Sequence, residues 1–266
     1  MISGATRLFA IIADPIAQVR TPQAMNAYFQ AAGADAIMVP IHVPATDLAI
    51  VMAGLRSTRN FGGMVVTVPH KAAVVGYCDE LGPAARAVGA ANTVRRTAEG
   101  ALVGDMFDGA GFLGGLRAQG HDPAGARVLL LGAGGAAAAI AVALAGAGVQ
   151  ELVIANRTRA KAEAIAVRVR AAHPDARVRV ADADPAGYGL VVNATSLGLR
   201  MSDPLPIDAE RLDPGTIVAE VVMKPERTPL LARAQQRGCV IHYGRHMLEA
   251  QVRLIGDFLL GTGPHA

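Results

Sequence analysis

The chain has 266 residues, of which 52% are hydrophobic and 18% charged, and carries a formal charge of +3. The basic excess is mild and its arginines are scattered singly, which argues against nucleic-acid binding, and the length suggests one or two domains with a sizeable core. Cys78 and Cys239 share no metal-ligand spacing with each other or with the histidines, so they read as free thiols in a reducing compartment. The N-terminus runs straight into a strand-like segment without a basic region, an apolar core or a cleavage site, and the reading is of a cytoplasmic protein.

Residues 8–13 form a short apolar run closed by Asp14-Pro15, a buried strand ending in a turn. Thr21-Pro22 opens a helix, with Thr21 as N-cap and Pro22 at the first helical position, and Gly33 ends it. Residues 36–39 read as a second strand, 46–55 as a helix capped by Thr46, and 64–68 as a third strand, so the β-then-α repeats imply a parallel sheet wrapped by helices. After the turn Pro69-His70-Lys71 come short helices to about Cys78 and over 83–88, a small-residue loop over 89–93, and a hairpin turned at Glu99-Gly100. A helix beginning around Asp108 ends near Gln119-Gly120.

Residues 127–161 then read as strand, Gly-x-Gly-x-x-Ala turn, helix and second strand. In Gly132-Ala133-Gly134-Gly135-Ala136-Ala137 the first glycine permits a tight turn, Gly134 lets a pyrophosphate approach the backbone, and Ala137 lets helix and strand pack closely. No charge occurs from Val128 to Gln150, yet a membrane span is rejected because the apolar strand stops at the glycine cluster. At the end of the second strand, where an NAD enzyme usually has an acid, stand Asn156-Arg157-Thr158 followed by Arg159 and Lys161. Cations at that point suit a 2′-phosphate, which favours NADP over NAD, although a solvated basic helix start is the plain alternative.

Further strands are predicted over 177–180, 190–192, 216–221 and 240–242. The loop Asn193-Ala194-Thr195-Ser196-Leu197-Gly198 lies at a strand's carboxyl end, where such sheets bind ligands. Thr228 caps a helix opened by Pro229, and 247–260 is a closing amphipathic helix.

These segments in this order resemble the shikimate dehydrogenase family over nearly the whole chain. The resemblance is carried by Asp14-Pro15-Ile16 with Thr21-Pro22, Val66-Thr67-Val68-Pro69-His70-Lys71, the 89–93 loop, Gly104-Asp105 with Asp108-Gly109, the 132–136 turn, Asn156-Arg157-Thr158, the 193–198 loop, Thr228-Pro229-Leu230-Leu231, and Met247-Leu248 with Gln251. It implies an α/β fold: an N-terminal α/β substrate domain (1–104 and 242–266) joined to a Rossmann NADP-binding domain (105–241), both with mainly parallel sheets. It also implies hydride transfer between NADP(H) and a small cyclic hydroxy acid or polyol, in a monomer or homodimer with no nucleic-acid or membrane partner and no metal. Lys71 and Asp108 would be the acid/base pair, since alcohol oxidation needs a proton taken from oxygen as the hydride leaves carbon. Thr21, Thr67, Asn92 and Gln251 would read the substrate, and Gly132, Ala133, Gly134, Gly135, Ala136, Asn156, Arg157, Thr158, Lys161, Thr195 and Met223 would hold the cofactor. Each also has a plain reading: a surface lysine, a helix-capping aspartate, a turn asparagine, a strand-filling threonine, an exposed glutamine.

The chain departs from the family where substrate is read. A serine expected to bind the substrate carboxylate is Val19, an asparagine is Val65, Asn-Thr before the catalytic aspartate is Met106-Phe107, a tyrosine is Met223 and a glycine is His246. An unpaired carboxylate against apolar walls would cost several kcal/mol unless Arg20, His70 or His246 replaces the lost partners. The expectation is a family enzyme that either prefers another substrate or binds shikimate differently, with Val19, Phe107 and His246 facing the ligand. A non-catalytic module that binds NADP and a metabolite is the competing reading.

Overall fold

A computed structural model describes residues 2–262 and divides the chain into two units: residues 1–107 with 251–266, and residues 108–250. In the first unit β1 (Arg7–Ala13), α1 (Thr21–Ala31), β2 (Ala36–His42), α2 (Leu48–Ser57), β3 (Phe61–Val66), β4 (Glu80–Leu81), α3 (Pro83–Val88), β5 (Thr93–Arg96) and β6 (Leu102–Asp105) follow in order. Among the described residues these strands form one six-stranded sheet, β2-β1-β3-β5-β6-β4. Its β1, β2 and β3 are parallel, as the βαβ pattern requires, and β5 runs against both neighbours because a hairpin joins it to β6.

Central strands of a sheet covered on both faces are apolar throughout, and Phe9 to Ala13 and all of β3 are buried accordingly. Gly62 in β3 makes room for the first strand, since a Cβ there would lie 2.6 Å from Phe9 Cζ. The glycine pair made β3 look shorter at its start than it is: the strand covers Phe61–Val66, beginning three residues and ending two residues earlier than the sequence suggests. β2 continues through Pro40 to His42, which an edge strand tolerates. The core gathers Phe9, Met25, Phe29, Val65, Phe107, Ile255 and Phe258, with the Phe9 and Phe29 rings 5.0 Å apart and Phe107 and Phe258 at 5.2 Å.

Two predicted caps are absent. Arg20 already has helical angles, so Thr21 is the first residue of α1 rather than its cap, and no side chain caps that terminus. A 3₁₀ turn, Ala45–Asp47, precedes α2, and the Thr46 hydroxyl donates to Asp47 instead of accepting from the helix.

The second unit comprises α4 (Asp108–Ala118), β7 (Arg127–Leu131), α5 (Gly135–Gly146), β8 (Glu151–Ala155), α6 (Arg159–Ala172), β9 (Val178–Val180), β10 (Leu190–Asn193), β11 (Ile217–Glu220), α7 (Pro229–Gln236) and β12 (Val240–His242). The last helix, α8 (Gly244–Leu260), begins in this unit and ends in the first. All described pairings in the sheet β12-β11-β10-β7-β8-β9 are parallel, the doubly wound order of a Rossmann unit with its switch point between β7 and β10. The uncharged stretch that mimics a membrane span is β7, a turn and the twelve-residue α5, and no helix among the described residues is long and apolar enough to cross a membrane. Its alanines let helices approach closely: a Cβ on Gly109 of α4 would stand 2.5 Å from the Ala139 carbonyl of α5.

Candidate active site

In the first unit the loops after β1 and β3 share one sheet edge, tied by the Asp14 amide donating to the Val68 carbonyl at 2.9 Å. Thr67 is half-buried; its amide donates to Ile12 and its carbonyl accepts from His70, closing the turn that presents Lys71. The Ala91 amide donates to the Lys71 carbonyl at 2.9 Å, which brings Lys71 beside the residue before Asn92. Asn92 is buried, and its Oδ1 accepts from the Phe107 amide at 2.9 Å and the Thr93 hydroxyl at 3.1 Å. With Oδ1 so engaged the amide is fixed, and Nδ2 is the end turned to other acceptors. Thr67, Lys71 and Asn92 thus sit together at the carboxyl ends of parallel strands, where such sheets place ligand groups. Thr21 is buried at the start of α1, and Gln251 is buried on α8.

Several departures from the family pattern are explained together by packing. Val19, Val65 and Phe107 belong to one apolar cluster with Ile255 and Phe258, so the polar-to-apolar exchanges are coupled to each other. His70 is fully buried and its Nε2–H donates to the Val43 carbonyl at 2.7 Å, a structural bond. His246 is buried in the second unit, 4.9 Å ring to ring from His242 and 3.4 Å from Glu249. Burial, then the charges of His246 and His121, push the His242 imidazole down to about 4.

In the second unit the Gly132 amide donates to the Ala155 carbonyl at 2.8 Å, and its φ of +112° lies where only glycine is comfortable. A Cβ there would also meet the Ala194 carbonyl oxygen at 2.8 Å. At Gly134 the opposite holds: a Cβ would meet nothing within 4 Å, so this glycine opens onto space just before the N-terminus of the twelve-residue α5. Ala133 and Ala136 are half-buried on either side of the glycine pair Gly134-Gly135. An open approach, free helix N–H groups and no side chain in the way are what a pyrophosphate needs, so the residues present fit a dinucleotide. Gly132→Ala is expected to cost about 2 kcal/mol of stability and to weaken coenzyme binding at least tenfold, read by urea unfolding and fluorescence titration.

Beyond β8, Asn156 Nδ2 donates to the Thr158 carbonyl at 2.9 Å and shapes the turn, while Arg157 and Lys161 are exposed. Arg159 spends its charge on Glu163 one turn along α6, at 3.4 Å. Arg157 and Lys161 have no carboxylate within salt-bridge distance among the described residues, so they remain available to an anion. Asp108 is the buried first residue of α4.

One group escaped the sequence reading. Glu220, at the end of β11, has no exposed surface, and its carboxylate accepts from Asn193 Nδ2 at 3.0 and 3.1 Å, from the Thr228 hydroxyl at 2.9 Å, and from the Val222 amide. Burial outweighs those donors and pushes the carboxyl up to about 7. Asn193 in turn accepts from the amide and hydroxyl of Thr195 at 3.1 and 2.7 Å and donates to the Leu197 carbonyl, so Glu220 anchors the 193–198 loop; Met223 follows it, half-buried. The signal was available, because a glutamate inside the buried run Ile217–Glu220 must be paired.

Comparison with known proteins accords with this architecture. Residues 11–94 match the family described as shikimate dehydrogenase substrate binding domain, and residues 117–186 the one described as shikimate/quinate 5-dehydrogenase. Shikimate dehydrogenase (NADP(+)) of Acidiphilium cryptum is 40% identical over 248 residues, 93% of this chain and 88% of the relative. Among solved structures, shikimate 5-dehydrogenase from Listeria monocytogenes in complex with shikimate and NAD superposes with a TM-score of 0.87 at 33% identity, covering 98% and 93% of the two chains. The ligand-free 5-ketofructose reductase of Gluconobacter sp. strain CHM43 superposes with a TM-score of 0.85 at 34% identity, covering 97% and 94%. With such identity sustained along nearly the whole length of both chains, and with the fold and both loop sets in place, this chain belongs to the shikimate dehydrogenase family.

Proposed function

We propose that the chain is an NADP-dependent oxidoreductase that moves a hydride between NADP(H) and a ring-borne hydroxyl or keto group of a small hydroxy acid or polyol. The observation that supports this reading is that each unit carries its own loop set: Thr67, Lys71 and Asn92 at the carboxyl edge of the first unit's sheet, and the open Gly134 cradle with Arg157 and Lys161 at the carboxyl edge of the second unit's sheet. When bound, NADP supplies the hydride acceptor at its nicotinamide. Gly132 to Ala136 would hold the pyrophosphate through backbone N–H groups and the α5 N-terminus, and Arg157 and Lys161 the 2′-phosphate. Asn156 and Thr158 would shape that phosphate loop, and the 193–198 loop with Thr195 and Met223 would hold the nicotinamide end.

In the oxidative direction Lys71 takes the proton from the substrate oxygen as the C–H bond is surrendered, with Asp108 as the carboxylate of the proposed acid/base pair. Asn92 Nδ2 and the Thr21 and Thr67 hydroxyls hold the remaining oxygens, with Gln251 reaching in from α8. Turnover of substrate, not binding alone, separates this from a metabolite-binding module.

The substrate is proposed to be something other than shikimate. Its support is the packed cluster of Val19, Val65 and Phe107, three positions at which the family pattern is polar. Phe107 and His246 then act through packing, since one stacks on Phe258 and the other lies against His242. A panel of shikimate, quinate and 5-ketofructose with NADP(H) absorbance as the readout tests both ideas: shikimate turnover at about 10⁴ M⁻¹s⁻¹ or better would overturn the altered substrate, and silence across a wide alcohol panel the dehydrogenase itself. Arg157→Ala is expected to raise KM for NADP by about 10- to 100-fold and leave NAD kinetics nearly untouched, because only the former carries the 2′-phosphate. An equal change for both coenzymes would remove Arg157 from phosphate recognition.

A further inference from the structure

Four arginines line one groove of the first unit. Arg7 opens β1, Arg59 stands just before β3, and Arg95 and Arg96 end β5; the groove they share measures about 660 Å³ and is closed on one side by Gly261 beyond α8. Because β5 is antiparallel to β3, its end lies at the amino-terminal edge of the parallel strands. Thr67, Lys71 and Asn92 occupy the other edge, about 20 Å away along strands of this length. The groove is therefore separate from the substrate residues of the same unit.

Its charge is uncompensated. No carboxylate among the described residues comes within salt-bridge distance of the four arginines. Glu99, which also lines the groove, is held by its own backbone and by Thr97. The Nε atoms of Arg95 and Arg96 are shut off from water and have no acceptor, a costly state for a guanidinium. The Arg7 guanidinium is pushed below its usual range by burial and by the charge of Arg95. Two of the cations are held by aromatic faces, Arg7 over Phe9 at 5.1 Å and Arg95 over Phe258 at 5.4 Å, so their planes are fixed before any ligand arrives. Like charges gathered and half-desolvated in a concavity call for an anion with many oxygens. The guanidinium fork matches phosphate geometry, and the volume leaves room for an organic body attached to it.

We propose that this groove is a second ligand site, which binds a small phosphate-bearing metabolite through Arg7, Arg59, Arg95 and Arg96. The test is calorimetric and thermal titration of the full chain with inorganic phosphate and with glycerol 3-phosphate. Saturating NADP keeps the coenzyme's own phosphate site filled, sodium chloride holds the ionic strength constant, and citrate serves as the comparison anion. Both phosphates are expected to bind and raise the melting temperature, glycerol 3-phosphate more tightly. The double substitution Arg95→Gln, Arg96→Gln is expected to weaken them by about 100-fold, roughly tenfold for each charge-assisted hydrogen bond lost. Arg59→Ala, at an exposed position whose loss leaves the fold alone, is expected to weaken them by about tenfold and so carries the test if the double variant does not fold. Citrate or chloride acting as well as phosphate would overturn the proposal, as would phosphate binding unchanged in the variants.

Discussion

Replacing Lys71 by alanine is expected to lower kcat by about 10²–10⁴-fold while the dissociation constant for NADP stays within about twofold of the parent's. The reason is a division of labour along the chain: Lys71 belongs to the first unit, at the end of the turn that follows β3, whereas the coenzyme cradle is built by the second. The substitution removes the group that takes the substrate proton and leaves the turn's backbone bonds, Ala91 to Lys71 included, available. Lys71→Arg supplies a permanent cation but not a base, since a guanidinium does not give up its proton at these pH values, so it is expected to remain nearly as slow as the alanine variant. Stopped-flow absorbance at 340 nm and a fluorescence titration of NADP measure the two halves. Turnover equal to the parent's in either variant would take Lys71 out of the mechanism.

The second large effect concerns stability and its dependence on pH. The Glu220 carboxyl is pushed up to about 7 in the fold and returns to the ordinary carboxyl value of 4.5 when unfolded. Its folded pKa is raised, so its contribution is fully present below pH 4.5 and is lost as pH rises through 7, at most about 3 kcal/mol for the shift involved. His242 works the other way. Lowered from 6.5 to about 4, it contributes above pH 6.5 and loses that contribution as pH falls through 4. Between pH 4.5 and 6.5 the two slopes oppose each other, and the parent's stability from these groups is expected to be nearly flat. Glu220→Gln, which matches the protonated carboxyl in shape and charge, removes one slope and leaves the other. The stability of Glu220→Gln relative to the parent is therefore expected to rise by up to about 3 kcal/mol from pH 4.5 to 8, read from urea unfolding at four pH values. A difference that does not change with pH would show the carboxylate to be ionised throughout. Glu220→Ala is expected to destabilise by about 3–5 kcal/mol at pH 4.5, because it strands the buried amide of Asn193 and the hydroxyl of Thr228, and by less as pH rises towards 8, since it removes the same titrating group.

What could be read from the residues alone follows from how local each signal is. The Gly132 turn, the hairpin at Glu99-Gly100 and the Thr228 cap are contained in a few consecutive positions, and each appears where its chemistry demands. Caps at Thr21 and Thr46 failed because a neighbouring residue entered the helix first, a choice made by backbone geometry that side-chain type does not reveal. The two-residue β4 carries too little pattern to announce itself. His70 was expected to be a candidate ligand group and instead holds Val43, 27 positions away, and Glu220 is satisfied by Asn193, equally distant. Contacts at such separation depend on the sheet order, which no single stretch encodes. The same holds for the arginine groove, whose walls come from residues 7, 59, 95 and 96.

The Thr228 hydroxyl donates to Glu220 while accepting from the Leu231 amide at 3.2 Å, so one oxygen starts α7 and solvates the carboxyl at a strand end at the same time. Only a β-hydroxyl can fill both offices: asparagine or aspartate would start the helix but present the wrong charge or reach to the carboxylate, and valine would fill the volume and do neither. Serine and threonine are thereby the side chains expected to keep both bonds at position 228, and a designer wishing to re-tune the acidity of the anchor beneath the 193–198 loop has its simplest handle here.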